Sequence, residues 1–165
     1  AALSDDHGAT WRASGPMAGV AGIQPSIVEK KNGDLVAYLR ETGRPPYRVQ
    51  QSVSHDQGET WSPLTETNIP NPSASLQVIR LKHSKGWAMV FNDSDQRREK
   101  LSVALSYDEG ETWPDKRVIT PRTDGSYPSM IESSDGWIHV TCSVKSDEGK
   151  GIAHYRINPK WLTKR

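Results

Sequence analysis

The chain of 165 residues is long enough for one domain with a real core, yet only 34% of it is apolar. Its 21 basic and 20 acidic residues leave a formal charge of +1, which excludes the one-signed field that nucleic acid or an anionic membrane surface demands. The single cysteine, Cys142, excludes an internal disulfide, and no apolar run approaches the roughly 18 residues of a membrane span.

Near its start the chain reads "SDDHGATW" (Ser4–Trp11). The phrase returns as "SHDQGETW" (Ser54–Trp61) and "SYDEGETW" (Ser106–Trp113), so the period is about 50 residues. Three of the six tryptophans stand in these copies. In this phrase Gly supplies positive φ, Asp accepts bonds from nearby backbone N–H groups, and Trp packs. The phrase is therefore expected to be a turn that satisfies itself. Calcium would need six to eight oxygens, more than one carboxylate per turn supplies.

In chain order, "SIVEKKNGDLVAYLR" (Ser26–Arg40) predicts a hairpin turning at Asn32-Gly33. "YRVQQSVS" (Tyr47–Ser54) and "SPLTETNI" (Ser62–Ile69) predict a third and a fourth strand on either side of the second phrase. The order repeats in "LQVIRLKHSKGWAMVFN" (Leu76–Asn92), "KLSVALS" (Lys100–Ser106) and "KRVITPRT" (Lys116–Thr123), with Gly86 as the expected turn glycine. It begins again in "SMIESSDGWIHVTCSV" (Ser129–Val144), turning at Asp135-Gly136, and "NPKWLTKR" closes the chain as a short turn. Cys142 alternates along a strand there and reads as a buried thiol. Units of four antiparallel strands at this period predict an all-β fold of β-propeller blades. The expected division is the tail of a blade (1–22), two complete blades (23–70 and 71–123) and an incomplete one (124–165). Three blades are too few for a ring, so further blades or a second copy of the chain are expected to close it.

Counting back nine positions from Gly33, Gly86 and Gly136 reaches Gln24, Gln77 and Tyr127. These stand at the start of each first strand and are expected to gather at one mouth of the central funnel. The five histidines show no close metal spacing. Asp93 and Asp95 stand near Arg98 in sequence, as pairing partners, as a carboxylate in the site, or as part of a surface loop. "QRREK" (Gln96–Lys100) is too short to make a nucleic-acid patch.

The repeated phrase resembles the Asp-box, or BNR repeat, of sialidases and their relatives. "IQPSIVEKKNGDLVAYLR", "NPSASLQVIRLK", "REKLSVALSYDEGETW", "YPSMIESSDGWIHVT" and "INPKWL" extend the resemblance to the C-terminal half of a six-bladed sialidase-like member. That resemblance implies a glycoside hydrolase with a Tyr nucleophile, arginines for the substrate carboxylate, a Glu that activates the Tyr, and an Asp acid/base. Arg suits this task because its planar fork pairs a carboxylate bidentately. Carried over by position, Arg40 in "AYLRETG" matches the second arginine and Arg98 in "RREKLSVALS" the third, with Arg97 as alternate. Tyr127 in "GSYPSMI" matches the nucleophile. Sixteen residues before Arg40, where the activating Glu belongs, stands Gln24, and an amide cannot take a proton. The first arginine and the acid Asp belong to the family's N-terminal blades and have no counterpart here. The expectation is a sialidase-like hydrolase of acidic or complex glycans, or a segment of one. The alternatives are a carbohydrate-binding propeller without turnover and a self-assembling propeller fragment. A glycan ligand is implied, with no cofactor, no metal, no nucleic acid and no membrane partner. No signal peptide opens the sequence, a water-soluble protein is expected, and the compartment is left open.

Overall fold

A computed structural model of the chain describes residues 1–19, 22–43, 45–120, 124–146 and 149–163. β1 (Ala2–Leu3) and β2 (Arg12–Ala13) form a two-stranded sheet around the first repeated phrase. The next sheet is a meander of β3 (Gly22–Glu29), β4 (Leu35–Glu41), β5 (Arg48–Ser54) and β6 (Thr65–Pro70). A second meander holds β7 (Gln77–Leu81), β8 (Gly86–Asn92), β9 (Leu101–Ser106) and β10 (Asp115–Val118). Three strands form the last sheet: β11 (Asp124–Glu132), β12 (Ile138–Ser146) and β13 (Gly149–Ile157). All pairings are antiparallel. Within the closing stretch, Pro159–Thr163 forms the short helix α1, begun by Asn158, whose side chain accepts the Lys160 N–H at 3.0 Å. Residues 121–123, the end of the run expected to form a fourth strand, lie outside the described residues.

The sheets stack face to face, and their alternating apolar residues fill the spaces between them. Val28, Val36, Tyr38 and Val49 of the first meander meet Val78, Trp87, Met89 and Phe91 of the second. The opposite face of the second meander carries Leu81, Ala88, Val90 and Val103 against Met130, Ile138, Val140 and Cys142. Both faces of β8 and β9 are thus covered, which is why "GWAMVFN" and "LSVALS" are buried almost throughout. Cys142 is buried, and burial pushes its thiol pKa up, away from nucleophilic use.

The repeated phrase is one turn built three times. Ser54 Oγ donates to Asp56 Oδ1 and accepts the Gly58 N–H, both at 2.8 Å. Asp56 accepts from the Thr60 N–H at 2.9 Å and from the Thr60 hydroxyl. Ser4, Asp6, Gly8 and Thr10 repeat these bonds, as do Ser106, Asp108, Gly110 and Thr112. The chain reverses through two left-handed residues, such as Gln57 (φ 59) and Gly58 (φ 93). With both carboxylate oxygens engaged, chiefly by Thr, each of Asp6, Asp56 and Asp108 has its pKa lowered to about 2.

The first strands are tied to one another by side chains. Ser26 Oγ of β3 accepts the Val78 N–H of β7 at 2.9 Å. Gln77 Oε1 of β7 accepts the Met130 N–H of β11. Gln77, expected at the funnel mouth, is therefore an inter-sheet strap equivalent to Ser26. The frame slipped because Gly86 is not the turn residue. Lys85 takes the left-handed conformation (φ 48), and Gly86 pairs with Leu81 inside the ladder. Glycine is needed at 86 for a different reason: a Cβ there would lie 2.5 Å from the Ser106 carbonyl oxygen.

Candidate functional site

Gln24 and Tyr127 interrupt their strands in the same way. The β3–β4 register shifts between Ile23 and Ser26, and the β11–β12 register between Ser126 and Ser129. At each bulge a non-glycine residue followed by proline takes a left-handed backbone, Gln24 at φ 54 and Tyr127 at φ 50. A bulge re-aims a side chain that a regular pleat would point into the stack. Tyr127 is consequently 53% exposed.

Two arginines reach the same place from different sheets. Arg40, near the end of β4, donates through Nη1 to Gln24 Oε1 at 3.1 Å and through Nε to Ser73 Oγ at 3.3 Å. Arg98, in the loop joining β8 to β9, donates through Nη2 to the Ser73 carbonyl at 2.9 Å. Its guanidinium carbon lies 5.4 Å from the centroid of the Tyr127 ring. All four residues singled out for chemistry, Gln24, Arg40, Arg98 and Tyr127, are thus brought together, each held by a different part of the fold. Arg97 is exposed beside them, with its N–H on Ser94 Oγ at 3.3 Å. Asp93 pairs with Lys116 at 2.7 Å. Among the described residues neither Arg40 nor Arg98 is paired with a carboxylate.

The electrostatics follow from that composition. Arg98 first and Arg40 second, by polar contact and by charge, hold the Tyr127 phenol below its ordinary range. Gln24 is neutral at any pH and offers Arg40 an oxygen without neutralising it. The cluster therefore presents two positive, forked donor groups beside a phenol inclined toward phenolate. It is suited to receiving an anionic oxygen pair such as a carboxylate.

Ser73 is the member of the cluster that sequence reasoning missed. It precedes β7, has φ 53, and offers its hydroxyl to one arginine and its carbonyl to the other. "NPSAS" marks a turn there, yet nothing in five small residues shows which oxygens face the arginines.

The histidines lie elsewhere. His55 is 2.9 Å from Asp34, His83 is 3.5 Å from Glu132, and His139 and His154 share a 2.9 Å ring contact. Among the described residues no group of three or more His, Cys, Asp or Glu could hold a metal ion. Among the same residues no helix is long and apolar enough to cross a membrane.

Comparison with known proteins agrees with this geometry. The profile of the BNR repeat-like domain matches residues 1–140. A sialidase of Micromonospora viridifaciens is 30% identical over 168 residues, covering 96% of this chain and 25% of that protein. The chain thus spans about a quarter of the curated relative it matches. Among solved structures, the NanB sialidase of Streptococcus pneumoniae superposes with a TM-score of 0.75 at 21% identity, over 98% of this chain and 27% of that one. A protein of unknown function from Dyadobacter fermentans superposes with a TM-score of 0.77 at 22% identity, over 93% and 43%. These likenesses give the fold: a set of β-propeller blades covering only part of the propeller chains it resembles.

Proposed function

The chain belongs to the BNR repeat-like family, and from that premise we propose that Arg40, Arg98 and Tyr127 form part of the glycan site of a sialidase-like glycoside hydrolase. One observation carries the reading: two guanidinium groups without carboxylate partners among the described residues converge on an exposed phenol at the ends of neighbouring sheets. In this reading the arginines hold the carboxylate of an acidic sugar. Tyr127 Oη then attacks the anomeric carbon, the glycosidic C–O bond breaks, and water later releases the sugar. The leaving oxygen takes its proton from an acid on further blades, which belong to the same protein or to a second copy of the chain.

Gln24 alters the first step. It accepts no proton, so the phenolate that attacks is the fraction that Arg98 and Arg40 stabilise. The same residue favours a second reading, binding of acidic glycans without turnover, because its oxygen is already held by Arg40 at 3.1 Å.

Fluorophore release from a panel of aryl glycosides that includes a sialoside decides between them. Hydrolysis that disappears in Tyr127→Phe supports the hydrolase. Binding of a sialoside with no release in the parent protein supports the second reading. Hydrolysis unchanged in Tyr127→Phe removes Tyr127 from the nucleophile role.

A further inference from the structure

The two arginines of the site have one neighbour in common. Ser73 Oγ accepts from Arg40 Nε at 3.3 Å, and Ser73 O accepts from Arg98 Nη2 at 2.9 Å. Hydroxyl and carbonyl belong to the same residue, so the separation of the two guanidiniums is set by the backbone of Ser73. That backbone is left-handed, φ 53, in a residue that is not glycine. Such a conformation persists only where the surroundings over-determine it.

The surroundings here are specific. Asn71 is fully buried. Its side-chain NH2 donates to the Ala74 carbonyl at 2.9 Å, and its side-chain oxygen accepts the Ala74 N–H at 2.7 Å. The two bonds close residues 71–74 into a ring that leaves Ser73 at its apex. The Asn71 N–H in turn donates to the Tyr47 carbonyl at 3.2 Å, which anchors the ring to the chain just before β5. The segment linking the first meander to the second is therefore a rigid spacer, locked by a buried amide, with its apex between two arginines from different sheets.

We propose that Ser73 is a positioning residue of the site: it fixes the distance and tilt between Arg40 and Arg98, and the Asn71 ring holds Ser73 for that task. The inference rests on the carboxylate-binding reading above, and it adds a residue that touches neither the reacting atoms nor the substrate. Ser73 Oγ anchors Arg40 alone, whereas the carbonyl anchors Arg98 whatever the side chain. Ser73→Gly therefore leaves Arg40 held by Gln24 alone, keeps the bond to Arg98, and relaxes the left-handed backbone. Ser73→Ala likewise leaves Arg40 to Gln24 alone and keeps the backbone strain.

Two measurements test the proposal on the protein and both variants. The first is the ultraviolet titration of Tyr127, taken as the difference from Tyr127→Phe in each background. It needs no glycan. Both variants are expected to titrate Tyr127 at higher pH than the parent, since one of the two positive groups beside it loses one of its two anchors. The second is affinity for free sialic acid, expected to fall on the order of tenfold in both variants, the worth of a hydrogen bond to a charged group. Thermal melting is expected to show Ser73→Gly at least as stable as Ser73→Ala. A Tyr127 titration unchanged in both variants overturns the positioning role, whatever the sugar affinity does. A shifted titration in a protein whose parent form binds no acidic sugar upholds it and refutes the carboxylate-binding reading instead.

Discussion

The rim of this molecule, its three repeated turns, and the mouth, the cluster of Arg40, Arg98 and Tyr127, are built on opposite principles. On the rim, three eight-residue phrases make the same turn, with the same hydroxyl, carboxylate and amide contacts in each. At the mouth, three sheets bring together a Gln, a Ser, a Tyr and two Arg, none repeated at its matching position. Repetition on the rim has a local cause: each turn satisfies itself, so every copy solves the same problem. Divergence at the mouth has a convergent cause, since side chains from different sheets must meet as unlike partners. The most conspicuous sequence signal is accordingly structural, and the chemistry sits where the repeats disagree.

The comparison can be broken most directly at the mouth. Arg98→Ala is expected to cut affinity for an acidic sugar on the order of a hundredfold, by removing charge-assisted bonds. It should also return Tyr127 to a higher pKa, since Arg98 is the largest cause of the lowering. Calorimetric binding and phenol titration check the two halves separately. Unaltered binding would detach the cluster from glycan recognition.

On the rim, the three phrases are alike in sequence but not in surroundings, and the glycine in each measures this. A Cβ at Gly110 would lie 2.1 Å from the Tyr38 hydroxyl and 2.9 Å from the Trp87 ring, whereas at Gly8 its nearest neighbour is 3.4 Å away. Gly110→Ala is expected to cost about 3 kcal/mol through overpacking and left-handed strain, and Gly8→Ala about 1 kcal/mol through strain alone. Equal shifts in chemical denaturation would show that the phrases are equivalent after all.

Acid sharpens the same point in milder form. Asp6, Asp56, Asp108 and Asp135 have folded pKa values of about 2 against an ordinary 3.8. A depressed carboxylate contributes stability that is present above its unfolded pKa and lost as pH falls through its folded one. Melting temperature should therefore decline between about pH 4 and pH 2. Asp56→Asn should flatten part of that decline, and a slope untouched by the change would remove Asp56 from its cause.

The smallest effect is expected at the phrase tryptophans. Trp61 Nε1–H donates to the Gly58 carbonyl at 3.0 Å, and Trp11 does the same to Gly8. Trp113 Nε1 is buried without a partner among the described residues, its ring set edge-on to Tyr38 at 6.4 Å. Trp61→Phe should cost about 1 kcal/mol more than Trp113→Phe, because only the former loses a hydrogen bond. The reverse order in denaturant melts would contradict the stated role of the indole N–H.

Much of the fold was legible because its signals are local. Asn32-Gly33 and Asp135-Gly136 announce hairpins through the positive φ their turns require, and Gly33 (φ 92) and Gly136 (φ 77) take it. The middle sheet hid its frame because Lys85 does by conformation what glycine does elsewhere, while Gly86 answers to a carbonyl across the sheet. Gln77 was misplaced for that reason alone. Arg40 and Arg98 were reached through family resemblance alone, and Tyr127 through the glycine count as well. Their approach to one another depends on bulges, and a bulge has no fixed spelling. Ser73 was unreadable for a deeper reason, since half of its contribution is a main-chain carbonyl.

The straps Ser26–Val78 and Gln77–Met130 carry a consequence for tolerance. Arg40, Arg98 and Tyr127 sit on three successive sheets, so any error in the angle between one sheet and the next accumulates before it reaches the mouth, as misfits add up along staves of a cask. At each joint a side chain of one first strand fastens the backbone of the next, close to the site, while Lys31–Glu109 and Lys82–Glu132 bonds fasten the same joints farther along. Loosening either joint would put the mouth out of true while every sheet kept its own internal bonds, so loss of alignment would precede loss of fold.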